Sequence, residues 1–126
     1  MRTQLTQGLK TTFLIHFIVA LLFGLGFLLI PDVLGKMYGL KVQDWTAYRL
    51  LGGALLGFGV SSWLSYKANS LENVRIVVVM EIVWPTLGAL VTLYALLFAG
   101  YPALAWINAV ILAAFAVAFG WFYFRK

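Results

Sequence analysis

The sequence predicts an all-α integral membrane protein: one domain, a four-helix bundle running up-down-up-down with both termini cytoplasmic. Three observations predict it. The 126 residues are 63% hydrophobic and 10% charged, with a mean hydropathy of +0.97, far outside soluble usage. Four apolar segments reach spanning length. Lys and Arg gather on one side of those segments.

The first segment, Thr11–Ile30, follows the basic stretch Met1–Lys10 and is checked against a signal peptide. It is about as long as the ~20 residues that cross a bilayer and no A-x-A-like site ends it, so it reads as a retained helix. The second, third and fourth segments are Trp45–Tyr66, Val74–Ala99 and Pro102–Phe124. At ~1.5 Å per residue each covers ~30 Å of hydrocarbon. Lipid offers the backbone no hydrogen-bond partners, and the apolar runs lack strand alternation, so all four are helices. The connections are Pro31–Asp44, Lys67–Asn73 and a tight turn at Gly100–Tyr101; short links place sequential helices side by side and antiparallel.

Arg2, Lys10, Lys67, Arg75, Arg125 and Lys126 flank one side, against Lys36 and Lys41 with Arg49 just inside its helix on the other. Positive charge marks the cytoplasmic side. Trp45, Tyr48, Tyr66, Tyr101, Trp106, Trp121 and Tyr123 fall near the expected interfaces, where amphipathic rings settle. The formal charge of +5 therefore reads as membrane anchoring, and nucleic acid is not an expected partner. With no cysteine and one histidine, thiol chemistry and a multi-His metal centre are excluded.

The outer loop PDVLGKMYGLKVQD has a pattern of its own: Pro31 and Asp32 suit a helix start, while Gly35 and Gly39 weaken it. It is either an ordered cover over the bundle mouth or a functional lid. Along the second span Arg49, Gly53, Gly57, Ser61 and Ser65 recur every four residues, and small residues at that spacing let helix backbones approach. Ala109, Ala113, Ala116 and Gly120 form a similar face on the fourth, with Ala20 and Gly24 on the first. Intrachain packing is the favoured role and a subunit interface the alternative.

Three ionisable residues lie within the spans: His16, Arg49 and Glu81. A charge at mid-bilayer costs at least ~2.5–3.5 kcal/mol, which makes each a functional candidate. Depth sorts them into an inner layer, His16 with Glu81, and an outer one, Arg49 with Asn108 and Tyr94. Arg49 most often snorkels in such a position. Pro85 has no N–H for the carbonyl of Glu81, four residues earlier, so a kink and a free carbonyl are expected beside the carboxyl. Glu81, Trp84, Gly88 and Thr92 share one helical face, suggesting a pocket with an acidic floor and an aromatic wall. The plainer alternative is a protonated Glu81 hydrogen-bonded to His16 or a carbonyl. Whether His16 meets Glu81 depends on the rotation of the first helix, which its nearly uniform apolar surface leaves open.

The run GLGFLLIPDVLGKMYGL followed by RLLGGALLGFGVSSWLS resembles small four-helix bacterial membrane proteins grouped as DoxX-like. The residues that carry the resemblance are Pro31, Tyr38, Gly39, Arg49, Gly52, Gly53 and Gly57, in the first half of the chain. It implies a fold in the bacterial inner membrane and little chemistry, although a few such proteins are similar to quinone-linked oxidoreductase subunits. Small multidrug exporters carry a carboxylate in helix 1, where this chain has only His16; fluoride channels have a broken, Thr/Ser/Phe-lined third helix that Pro85 and Thr86 do not match. Sterol isomerases are similar only in lining a pocket with acidic, Trp and Asn side chains.

Three functions are expected to compete. The first is binding of a lipophilic molecule (quinone, isoprenoid or lipid) near Glu81, with Trp84, Gly88, Thr92 and His16 around it. The second is a non-catalytic accessory subunit of a larger membrane complex. The third is a proton- or cation-coupled carrier acting as a homodimer. No nucleophile, metal site or cofactor loop is recognisable.

Overall fold

In the computed structural model, residues 4–124 are described; Arg2, Arg125 and Lys126 of the charge count lie outside them. The chain is all-α: α1 Gln7–Leu29, α2 Pro31–Met37, α3 Thr46–Lys67, α4 Leu71–Phe98 and α5 Trp106–Phe124, the last preceded by a 3-10 turn at Ala103–Ala105. The only pairing of β type among the described residues is an isolated bridge between Gln4 and Ser70.

Helix ends follow local capping chemistry, so they depart from the limits that hydropathy sets. Thr6 accepts from the amide of Leu9 at 3.1 Å and Ser70 from that of Asn73 at 3.4 Å. Those caps start α1 and α4 before the apolar runs begin, with polar first turns outside them. The outer loop contains the helix α2, opened by Pro31 and closed by a Schellman turn: Gly39, at φ +74°, donates to Lys36 and Leu40 donates to Gly35. Gly35 is buried beneath the Trp45 ring, where a Cβ would collide with ring carbons. Gly100, at φ +66°, turns the chain after α4, and the Ala99 and Tyr101 amides both bond the carbonyl of Ala95.

Among the described residues three segments are long and apolar enough to cross a membrane: Gln7–Leu29, Leu71–Phe98 and Ala103–Phe124. Four were expected. The exception, α3, is long enough, but its glycines, serines, Arg49 and Lys67 dilute its apolar content. Apolar side chains stand exposed on all four long helices, among them Leu22, Leu50, Ile76 and Val117, an outer surface suited to lipid.

The long helices form two close pairs, α1 with α3 and α4 with α5. In the first pair Gly52 lies against the backbone of Leu28 and Gly24, Gly59 faces Ala20 and Ser62 reaches His16, an antiparallel order of contacts. Gly53 and Gly57, expected to pack, face open space instead: a Cβ there would meet nothing within 4 Å. Ser61 bonds the carbonyl of Phe58 within its own helix. The buried side of α3 therefore runs through Gly52, Gly59, Ser62 and Ser65: of the expected face, Ser65 is buried and Arg49 bonds α1, while Gly53 and Gly57 point away. Leu9, Phe13, Leu71, Val74, Val78 and Phe119 form a close-packed core where the start of α1, the start of α4 and the end of α5 converge. Towards the α2 end the helices part around a cavity.

Candidate functional site

His16 joins three helices. Its Nδ1 lies 2.7 Å from the hydroxyl of Ser62 on α3, and its Nε2 lies 2.9 Å from Oε2 of Glu81 on α4. All three residues are buried, Glu81 and Ser62 at 0% exposure and His16 at 5%. The 2.9 Å approach has ion-pair distance without hydrogen-bond alignment, and neither carboxyl oxygen has a hydrogen-bond partner among the described residues. Edge-on contacts from Phe115 and Phe119 enclose the imidazole. Contacts between polar groups buried in this way are electrostatically stronger than the same contacts in water.

Pro85 lies within α4, which continues unbroken to Phe98. Beside it, the Thr86 hydroxyl donates to the carbonyl of Ile82 at 2.6 Å, so a side chain supplies a donor near the position where proline removes one. Thr92 likewise donates to the carbonyl of Gly88 at 2.8 Å.

The cavity, about 300 Å³, lies between the two helix pairs. Trp84, Gly88 and Thr92 line it, with His16 at the core end and Phe23, Phe27 and Leu55 along the sides. Glu81 does not line it. Glu81 sits behind His16, so the floor is an imidazole backed by a carboxyl, in place of the acidic floor expected from the spacing along α4 alone.

The outer polar layer is not one cluster. Arg49 Nη1 donates to the carbonyl of Leu28 at 2.6 Å, supplying a donor at the C-terminal end of α1. Tyr94 is 64% exposed and packs its ring on Phe98. Only Asn108 reaches the cavity, where its Oδ1 accepts from the Tyr38 hydroxyl at 2.6 Å. The three residues, expected at one depth, point in different directions.

Folding adds residues that spacing along the helices does not reveal. Tyr38 at the end of α2, Tyr48 near the start of α3 and Tyr101 before the 3-10 turn surround the outer end of the cavity with Asn108. Partial burial raises the Tyr38 phenol above its ordinary value, against the opposing bond to Asn108. Partial burial, then the neighbouring Tyr48, raises Tyr101 in the same direction. Both phenols stay protonated at neutral pH. The sequence signal for this cluster was two of its tyrosines, Tyr48 and Tyr101, near the expected interfaces, but lipid anchoring explained them equally well.

The cavity thus has a core end of imidazole backed by carboxyl and serine, an aromatic middle, and an outer end of uncharged phenols and an amide. No group of three or more potential metal ligands occurs among the described residues. Compared with known protein families, curated proteins and solved structures, the chain finds no match.

Proposed function

We propose that this chain is a four-helix, up-down-up-down protein of a bacterial inner membrane, both termini cytoplasmic, that binds a lipophilic small molecule such as a quinone, isoprenoid or lipid. One observation carries the reading: a mostly apolar cavity of about 300 Å³ between helix pairs, with polar groups at its two ends. Sites for small molecules are built this way, apolar walls providing burial and a few polar groups fixing orientation. In the DoxX-like resemblance the same four-helix arrangement is expected, with α3 as the fourth crossing.

Replacing Gly88 by Leu fills the cavity: even a Cβ at that position lies 3.2 Å from Leu112 and 3.5 Å from Trp84. Organic extracts of the wild type and of Gly88→Leu, purified alike and compared by mass spectrometry, test the reading. Wild type is expected to retain a lipophilic molecule that the variant loses. Identical extracts would sink it.

A second reading, an accessory subunit in a larger complex, is favoured by the outward Gly53 and Gly57, which leave room for a foreign helix backbone. The homodimeric carrier draws less support, because Glu81 is buried behind His16 and away from the cavity wall.

A further inference from the structure

The walls of the cavity also bear on the head group of its ligand, an inference that rests on the binding reading above. Among the described residues no Lys, Arg, Asp or Glu lines the cavity. Arg49, the cation that depth alone would assign to its outer end, is turned onto the carbonyl of Leu28. His16 has both ring nitrogens engaged inside the protein, one by Ser62 and one by Glu81. The start of α5 is no open anion site either, since the Ala105 amide bonds Pro102 and the Trp106 amide turns back on Ala103 and Leu104. A phosphate or carboxylate brought here would lose its water without meeting a compensating charge, a loss that uncharged donors offset poorly.

The outer end offers uncharged donors. Asn108 uses Oδ1 to accept from Tyr38, and its amide group brings N–H donors to the cavity wall. Tyr101 and Tyr48 add phenols on the same wall. Next to these donors the cavity becomes aromatic and aliphatic, and α3 and α4 meet only sparsely beside it, with the rings of Phe58 and Trp84 5.5 Å apart between them. The volume lies at the low end of the range for small-molecule sites, enough for a head and the first part of a chain.

We infer that the ligand is an uncharged amphiphile whose oxygen-bearing head, a carbonyl or hydroxyl, seats against Asn108 and Tyr101, while its apolar chain leaves between α3 and α4. Charged lipids are discriminated against because the site lacks a counter-charge.

The test compares three probes with one carbon skeleton: farnesene, farnesol and farnesyl phosphate. Each is tritiated in turn and binding to the purified full chain is measured by scintillation proximity. Farnesol is expected to bind more tightly than farnesyl phosphate by about tenfold or more, the scale of one good polar contact. Asn108→Leu and Tyr101→Phe are each expected to lower the farnesol-to-farnesene affinity ratio by several-fold to about tenfold. A purely structural role for these residues would weaken both probes together and leave that ratio unchanged. Farnesyl phosphate binding as tightly as farnesol, or a ratio unmoved in both variants, overturns the uncharged-head inference and leaves the cavity reading standing. Saturable binding by none of the three overturns both.

Discussion

At the residue scale, the fully buried Glu81 is held by geometry more than by a network. Its one close polar neighbour is His16, and His16 in turn depends on Ser62. Removing a partner from a buried polar group costs about 1–3 kcal/mol, while replacing both partners by apolar groups of similar shape is often nearly neutral. His16→Phe and Glu81→Leu are therefore each expected to destabilise the protein by that amount or more, each leaving one polar partner buried among apolar groups. The double variant His16→Phe with Glu81→Leu should recover much of the loss. Unfolding in detergent followed by circular dichroism measures the coupling, and strictly additive effects would show that the two side chains do not depend on each other. Glu81 and His16 were legible as candidates in the sequence because ionisable residues inside apolar spans are rare. Their shared partner Ser62 was not, since Ser61, Ser62 and Ser65 are chemically alike and only the helix rotation selects among them.

The tyrosines give the residue scale a pH signature. Tyr38 and Tyr101 have phenols raised above the ordinary value of about 10. Between the unfolded and folded values the native state holds more protons than the unfolded state, so its stability falls as pH rises through that window. Below it both states are protonated and these phenols add no pH dependence. Thermal unfolding measured from pH 8 to roughly pH 12 should decline at the alkaline end, and Tyr101→Phe should decline less steeply. Equal slopes would remove the phenols as the cause.

At the element scale, the α1–α3 interface is set by single glycines. A Cβ on Gly52 would meet the Leu28 amide nitrogen at 2.5 Å and the Gly24 carbonyl oxygen at 2.7 Å, backbone atoms that yield only if the helices separate. Gly52→Ala is expected to cost about 1–3 kcal/mol through overpacking. Gly53→Ala, one residue on, meets open space and should stabilise α3 by about 0.5–1 kcal/mol through its better helix propensity. Melting temperatures of the two variants decide the register, and the reverse order would return Gly53 to an intrachain interface. Of the two, only Gly53 belongs to the small-residue face read from the sequence. Four-residue periodicity favoured Gly53 and Gly57, but the close contacts fall on Gly52 and Gly59, because the apolar surface of α1 allows several rotations and side-chain fit chooses one.

At the scale of the whole molecule, α3 decides the number of crossings. The chain has no cysteine, so single cysteines report cleanly. With Lys41→Cys and Asn69→Cys, at opposite ends of α3, an impermeant maleimide applied to intact cells is expected to label the first and reach the second only after permeabilisation. Labelling of both from one side would mean that α3 does not cross and that the positive-inside assignment is incorrect. The fold makes crossing physically reasonable, since Gly52, Gly59, Ser62 and Ser65 are buried in the structure and α3 need not be apolar all round.

The membrane class, the helical content and the approximate extent of the long helices came from the sequence alone. Those properties follow from local hydropathy, length and the bilayer's inability to satisfy a bare backbone. Tertiary structure decided which faces of the helices meet. Side-chain direction changes by about 100° per residue, and apolar residues surround α1, so pattern alone left its rotation open. That rotation places Glu81 behind His16 and Gly52 against α1. The fold of α2 over the outer end brings Tyr38 to Asn108, a contact spanning 70 residues of chain. A local pattern names the polar residues, whereas long-range packing determines which of them share a cavity.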